Sequence, residues 1–261
     1  MSGYNLKSYN LKGQVKTVRE FVYKPILRNG NLELSTRISA SLNFGEDCYF
    51  FNESGNLTEN RVYDLNQKLI NQYICHYDSA GNLIEYIMYN KGGILFRTKY
   101  LFSKENKLLG HKDWYGDTHY STTLYFTDER GKCDVHENYD PDGCLQGTTQ
   151  YLLNSKGNIR SCQRRTADDR VIDRVEYYYD DKDNLKERVF LKLDRLYKLV
   201  ERFDSRKNKV EVISYTSKEK IKSHEKYDHV YDKTGNWIRK IQYKVSTPVS
   251  IFERSIEYYS I

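Results

Sequence analysis

The residue types best suited to chemistry gather in one short run, His111-Lys112-Asp113-Trp114-Tyr115-Gly116-Asp117-Thr118-His119. Two imidazoles and two carboxylates around a turn are donors that can hold a metal. The spacing argues against it, because His111 and His119 fall on opposite sides of the hairpin tip. The run reads as a polar turn, with no metal and no cofactor. A second run, Arg206-Lys207-Asn208-Lys209 with Lys218, Lys220, Lys222 and Lys226, interleaves with Tyr215 and Tyr227 as a phosphate-tracking surface would. Glu211, Glu219 and Glu225 dilute its field. A solvated edge, where lysines discourage sheet-to-sheet association, is the preferred reading, and nucleic acid is not expected. Trp114 and Trp237 could stack on sugars, but a strand tryptophan more often packs. Asp168-Asp169 and Asp180-Asp181 sit in turns, where aspartate bonds the backbone. The sequence has no Gly-x-Ser-x-Gly, P-loop, His-Glu-x-x-His or Cys-x-x-Cys. A non-enzymatic protein is expected.

The elements that carry these residues are set by a recurring stretch, Tyr77-Asp78-Ser79-Ala80-Gly81-Asn82-Leu83. Aspartate opens a turn by bonding backbone N–H groups two residues on. Glycine then takes a left-handed position after a type I turn, the three-residue hairpin with a G1 bulge. Asp140-Pro141-Asp142-Gly143 is a second copy, with proline pre-set for the turn. Near-complete copies place Gly55, Gly81, Gly93, Gly131, Gly143, Gly157 and Gly235 at the left-handed position. Worn copies place Gln67, Asn106, His119, Arg170, Asp183, Tyr197, Asn208, Glu219 and Thr247 there. Every second turn steps by 26, 25, 25, 26, 26, 25 and 27 residues. The unit is therefore a two-strand repeat of about 26 residues.

The spacing predicts an all-β chain of some eighteen antiparallel strands in up-and-down order. The expected architecture is an extended, coiled sheet of β-hairpin repeats, or a solenoid. Residues 1–261 form a single repeat domain: a capping hairpin over 1–44, hairpin repeats over 45–245 and a capping strand over 246–261. The opening hairpin alternates from Val15 to Val22, turns at Asn29-Gly30-Asn31 and returns over 38–44. Strands such as Leu83–Tyr89 and Leu185–Leu191 carry one apolar face and one face mixing aromatics with charge.

Composition fits this picture. The 261 residues include 25 Tyr and 10 Phe, large side chains that cover a sheet while keeping a polar tip wet. Formal charge is +6, a mild excess that falls short of a nucleic-acid module. Five cysteines, Cys48, Cys75, Cys133, Cys144 and Cys162, are an odd and widely spaced set. They suggest free thiols in a reducing compartment. No apolar run of about 18 residues predicts a membrane span. The first residues lack the apolar segment of a signal peptide. A cytoplasmic protein is expected, or an exported or lipid-anchored one if a leader has been removed.

Tyr77-Asp78-Ser79-Ala80-Gly81-Asn82-Leu83 and Tyr231-Asp232-Lys233-Thr234-Gly235-Asn236-Trp237 resemble the YD or RHS repeat, Tyr-Asp-x-x-Gly-x-Leu. The chain also resembles small YD-repeat proteins of Bacteroidetes. In these an opening strand like Leu11–Glu20 precedes the repeats and a segment like Gly235–Lys240 closes them. The unit is longer than in the large RHS toxins, and no toxin domain or self-cleavage segment is evident. The resemblance implies a fold more than an activity; many of the small relatives are exported lipoproteins.

Two functions compete. The first is a scaffold that binds a protein partner, for instance an immunity or antitoxin-like protein that neutralises an effector. The second is an exported cell-surface protein that binds glycan or envelope components. Repeat scaffolds recognise partners through an extended face. The mixed face nominates Tyr86, Met88, Phe96, Tyr100, Arg188 and Phe190 as partner-binding residues, since Tyr and Arg are frequent interface anchors.

Overall fold

A computed structural model describes residues 4–38, 46–127, 133–193 and 197–260. Alternation and turn signals produce nineteen strands in one antiparallel sheet, with no helix among the described residues. In chain order they are β1 (Val15–Arg28), β2 (Asn31–Ile38), β3 (Glu46–Phe51), β4 (Leu57–Tyr63), β5 (Leu69–Tyr77), β6 (Leu83–Asn90), β7 (Gly93–Phe102), β8 (Leu108–Tyr115), β9 (Thr118–Thr127) and β10 (Cys133–Tyr139). Then follow β11 (Leu145–Leu153), β12 (Ile159–Thr166), β13 (Val171–Tyr179), β14 (Leu185–Lys192), β15 (Tyr197–Phe203), β16 (Lys209–Tyr215), β17 (Ile221–Tyr231), β18 (Trp237–Lys244) and β19 (Thr247–Tyr258).

The turn chemistry is as the repeat requires. The Asp78 carboxylate accepts from the Ala80 and Asn82 N–H groups at 3.0 and 2.8 Å. The same pair of bonds recurs at Asp140, Asp180, Asp204 and Asp232, and at Asn154. The β5–β6 register shifts at His76/Tyr77, the expected bulge. Left-handed residues occur at Gly55, Gly81, Gly93, Gly143, Gly157 and Gly235, and at Gln67, Asn106, Asp183 and Glu219. Gly131, like the return strand over 39–44, lies outside the described residues. Four worn copies are displaced. The left-handed residue is Asp169 rather than Arg170, Lys207 rather than Asn208, Gly116 rather than His119 and Val245 rather than Thr247. Tyr197 instead opens β15.

The expected open, coiled repeat sheet or solenoid is overturned. An open sheet has two free edges, yet β1 pairs antiparallel with β19, from Val15 opposite Tyr258 to Tyr23 opposite Ile251. The other side of β1 pairs with β3 over Thr17–Phe21. From Val22 onward, β1 pairs with β2, which lies outside the closure. The remaining strands form a closed antiparallel β-barrel of 18 strands. Closure removes the exposed edges that a sheet this wide would otherwise present. The RHS-like solenoid description falls with it; the repeat persists as turn chemistry.

Closure also overturns the cytoplasmic placement. That expectation rested on free thiols, on first residues without the apolar segment of a signal peptide, and on the absence of an apolar run long enough for a helix. No helix among the described residues is long and apolar enough to cross a membrane, but closed barrels cross with strands, so the helix test does not bear on this fold.

By contacts the chain divides into two compact units, residues 1–97 with 226–261, and residues 98–225. The chain passes from one to the other within β7 and β17. In the first unit Leu11, Val15, Val18, Phe51, Leu57 and Cys75 form the core. An N-terminal turn lies against it. The Leu6 N–H donates to the Gly55 carbonyl at 2.9 Å and the Leu57 N–H to the Tyr4 carbonyl at 2.8 Å. Gly55 serves twice here: its φ of +79° is left-handed, and a Cβ would press on Leu6 at 3.1 Å. The second unit has a smaller core, Val189, Val200 and Ile213, flanked by Leu191 and Tyr215.

Candidate functional site

Strand residues alternate between faces, so the repeat lines up one side chain per strand across the second unit. On one face these are Tyr100, His111, Tyr125, His136, Tyr151, Cys162, Tyr177, Arg188 and Glu201, from β7 to β15 in turn. The Tyr100 and His111 ring centroids are 5.9 Å apart, and those of His111 and Tyr125 are 5.6 Å apart. Tyr125 meets His136 at 4.3 Å, and His136 meets Tyr151 at 4.7 Å. Tyr151 lies opposite Cys162 and bonds it. Tyr177 lies opposite Arg188, and Arg188 opposite Glu201, which accepts from the Arg188 Nε at 2.9 Å.

Hydrogen bonds and burial fix the charge states along this row. His111 uses both ring nitrogens: Nδ1 is 2.5 Å from the Tyr125 hydroxyl and Nε2 3.3 Å from Asp113. Asp113 also accepts from Thr98 at 2.6 Å and Ser121 at 3.2 Å. Burial opposes its charge, but the bonds from His111 and Thr98 outweigh burial and hold the carboxyl below its ordinary range. Burial pushes His136 down. Burial, with Cys162 beside it, pushes the Tyr151 phenol up to about 12. His119 points elsewhere: its Nε2 is 3.0 Å from the Ser121 carbonyl. Trp237 is buried, with the Arg254 guanidinium 3.5 Å from its ring centre.

The opposite face of the same strands carries a second row. Phe126 lies opposite Val135, which lies opposite Gln150, two residues before Leu152 on one face. Leu152 lies opposite Ser161, and Ser161 opposite Glu176, two residues before Tyr178. Phe126, Leu152 and Tyr178 therefore share a face, each next to last in its strand. All three are exposed, at 47, 46 and 48%. Tyr178 lies opposite Glu187, Glu187 opposite Arg202 and Arg202 opposite Glu211. Arg202 bridges both glutamates at 2.9 and 2.6 Å, and His224 reaches Glu211 at 2.7 Å. The apolar row thus runs into a charged ladder.

The six residues nominated from sequence divide between the units. Tyr86, Met88 and Phe96 lie in the first; Tyr100, Arg188 and Phe190 lie in the second. Tyr86 packs against the core, stacked between Tyr4 at 5.1 Å and Tyr73 at 5.9 Å. Met88 is half-buried opposite Tyr73, and Phe96 is half-buried in β7. Arg188 and Phe190 do come together, the guanidinium lying 4.8 Å from the ring centre. Tyr100 begins the aromatic row. The exposed row went unread, although its signal is plain: Tyr125-Phe126, Tyr151-Leu152 and Tyr177-Tyr178 recur at 26 residues.

No known protein family matches the sequence, and neither does any curated protein. Among solved structures, the chain is similar to a porin-like protein from Bacteroides uniformis, at 10% identity and a TM-score of 0.47. That likeness covers 94% of this chain and 99% of the other. A weaker likeness, at 10% identity and a TM-score of 0.16, is to a TcdB2-TccC3-Cdc42 complex. It covers 89% of this chain and spans 19% of the other. Neither likeness assigns a family.

Proposed function

We propose that the protein is a non-enzymatic binding scaffold that docks a protein partner along Phe126, Leu152 and Tyr178. The observation that carries this reading is the repetition of exposed large apolar side chains at one position of three successive hairpins, beside a charged ladder. Apolar anchors with a polar rim are the composition of protein interfaces. Scattered surface apolar residues need no such regularity. The aromatic row on the other face supports a non-catalytic reading, since His111 is engaged at both nitrogens.

Burying the exposed half of each side chain is worth about 1 kcal/mol, so the row supplies about 3 kcal/mol, or roughly 100-fold in affinity. The test uses the full chain as bait in extracts of the native host, beside the triple variant Phe126→Ser, Leu152→Ser, Tyr178→Ser. A stoichiometric protein captured by the wild type and lost by the variant, with unchanged circular dichroism and melting, is the expected result. Equal capture by both overturns the docking row. Binding to purified glycans with no captured protein favours the envelope-binding alternative.

A further inference from the structure

A half-open cavity of about 150 Å³ lies in the first unit, lined by Tyr4, Tyr9, Asp47, Leu57, Asn60, Val62, Tyr73 and Tyr86. Its volume matches the engineered cavity that admits a benzene-sized molecule, about six heavy atoms. Its walls have one electrostatic sense. Tyr4, Tyr86 and Tyr73 form a stack along one side, and Tyr9 is braced on Tyr49 and Phe51 at 5.1 and 5.6 Å. Aromatic faces attract cations. The amide oxygen of Asn60 is buried and accepts no hydrogen bond. A buried acceptor left open in this way asks for a donor.

Asp47 adds a carboxylate to the same wall. Across the ladder it faces another acid, Glu20. The arginine at hand, Arg254, pairs with Glu20, its Nε donating at 2.7 Å, while its buried Nη1 has no hydrogen-bond partner. Burial, then Glu20 and Glu46, push the Asp47 carboxyl up to about 6, so near neutrality it is an anion held in place without a counter-charge.

We propose that this cavity binds a small primary or partly methylated alkylammonium ion, with Asp47 and the Asn60 amide oxygen accepting its N–H groups and the tyrosine rings enclosing its alkyl chain. An anion would meet Asp47 and the π-faces of the rings. A neutral molecule would leave the carboxylate uncompensated. A quaternary ammonium would satisfy the rings but give Asn60 no donor.

The experiment is titration calorimetry on the full chain at pH 8 and low salt, with butylammonium chloride as probe. Tetramethylammonium and 1-butanol serve as comparisons. Butylammonium should bind most tightly, and Asp47→Asn should weaken it by at least about ten-fold, the scale of one charge-assisted hydrogen bond. Asp47→Asn removes an uncompensated charge and keeps the side-chain volume, so the variant should remain folded. A second variant, Tyr73→Leu, should weaken butylammonium more than 1-butanol. The proposal fails if folded wild type binds no butylammonium, if 1-butanol binds equally well, or if Asp47→Asn leaves the affinity unchanged. None of these outcomes depends on the partner row in the second unit.

Discussion

Replacing Asp47 by Asn should stabilise the protein at alkaline pH and do nothing in acid. The carboxyl is raised from its ordinary 3.8 to about 6 in the folded chain, first by burial and then by Glu20 and Glu46. Other charged groups nearby do not offset this. Arg254 is held by Glu20 and Arg19 by Glu46. Tyr9 and Tyr49 have their phenols raised by burial, so both stay neutral. A folded state that holds its proton more tightly gains stability at low pH and loses it as pH rises through the folded value. Below about 3.8 the acid is protonated in both states and its charge costs nothing. Above about 6 the full penalty applies. At about 1.36 kcal/mol per pH unit the rise corresponds to roughly 3 kcal/mol, and partial exposure lowers that to about 2 kcal/mol. Asparagine keeps the volume and removes the charge. Urea unfolding at pH 8 should give the variant a higher midpoint by that free energy. The gap should narrow across the window from 6 to 4 and close below it. A variant less stable than wild type at pH 8, or a gap independent of pH, would refute the reasoning.

Glycine substitutions separate two causes of strain. A Cβ at Gly147 would meet the Arg165 carbonyl oxygen at 2.4 Å, so Gly147→Ala should cost roughly 1–3 kcal/mol in urea unfolding by overpacking against backbone. At Gly143, φ is +84° with nothing within 4 Å, so Gly143→Ala should cost only the left-handed strain of about 1–2 kcal/mol. Asn236 is buried, takes the Lys12 N–H at 2.7 Å and donates to the Lys12 carbonyl at 2.9 Å. Asn236→Ala should cost about 2 kcal/mol and speed hydrogen exchange at Lys12 before it does so in the second unit. Tyr151 and Leu152 are chain neighbours on opposite faces. Tyr151→Ser should lower the melting temperature and leave partner capture intact, whereas Leu152→Ser should do the reverse.

The hairpins were legible because their signal is local. Asp78 and Gly81 are three residues apart, and the bonds that join their turn are all within it. Legibility failed by one position at Asp169 and at Lys207, where glycine is absent. Asp169 and Arg170 are both candidates once Gly is absent, and aspartate tolerates the left-handed region better than most residues. Thr166, which opens that turn with bonds from its hydroxyl, hides the register further. The rows were legible too, but in the strands rather than the turns. Reading glycine positions alone passed over Phe126, Leu152 and Tyr178. The nominated Tyr86 illustrates a different limit. Its strand pattern alternates as well as any, but Tyr4, which covers it, belongs to the N-terminal turn, some eighty positions earlier by number.

Closure could not be read at all, because Val18 and Ile256 are paired from opposite ends of the chain and nothing local marks either as a partner. Yet closure explains where burial concentrates. Among the described residues, Val15, Val18, Leu57, Asn236, Glu46 and Ile251 are the large side chains most fully removed from solvent, and all lie in the unit that contains the β1–β19 ladder. A hairpin repeat joins each strand to the next through a short turn, so the entropy of bringing them together is small. The β1–β19 ladder has no such turn and is held instead by its backbone pairing, by cross-strand ion pairs such as Arg254 with Glu20, and by packing. Val15, Val18 and Val22 on β1, Ile251 on β19, and the Asn236 clasp on Lys12 supply that packing. Glu46 belongs to the same logic, because its buried carboxylate accepts Arg19 from β1 and so ties β3 to the closing strand from the other side.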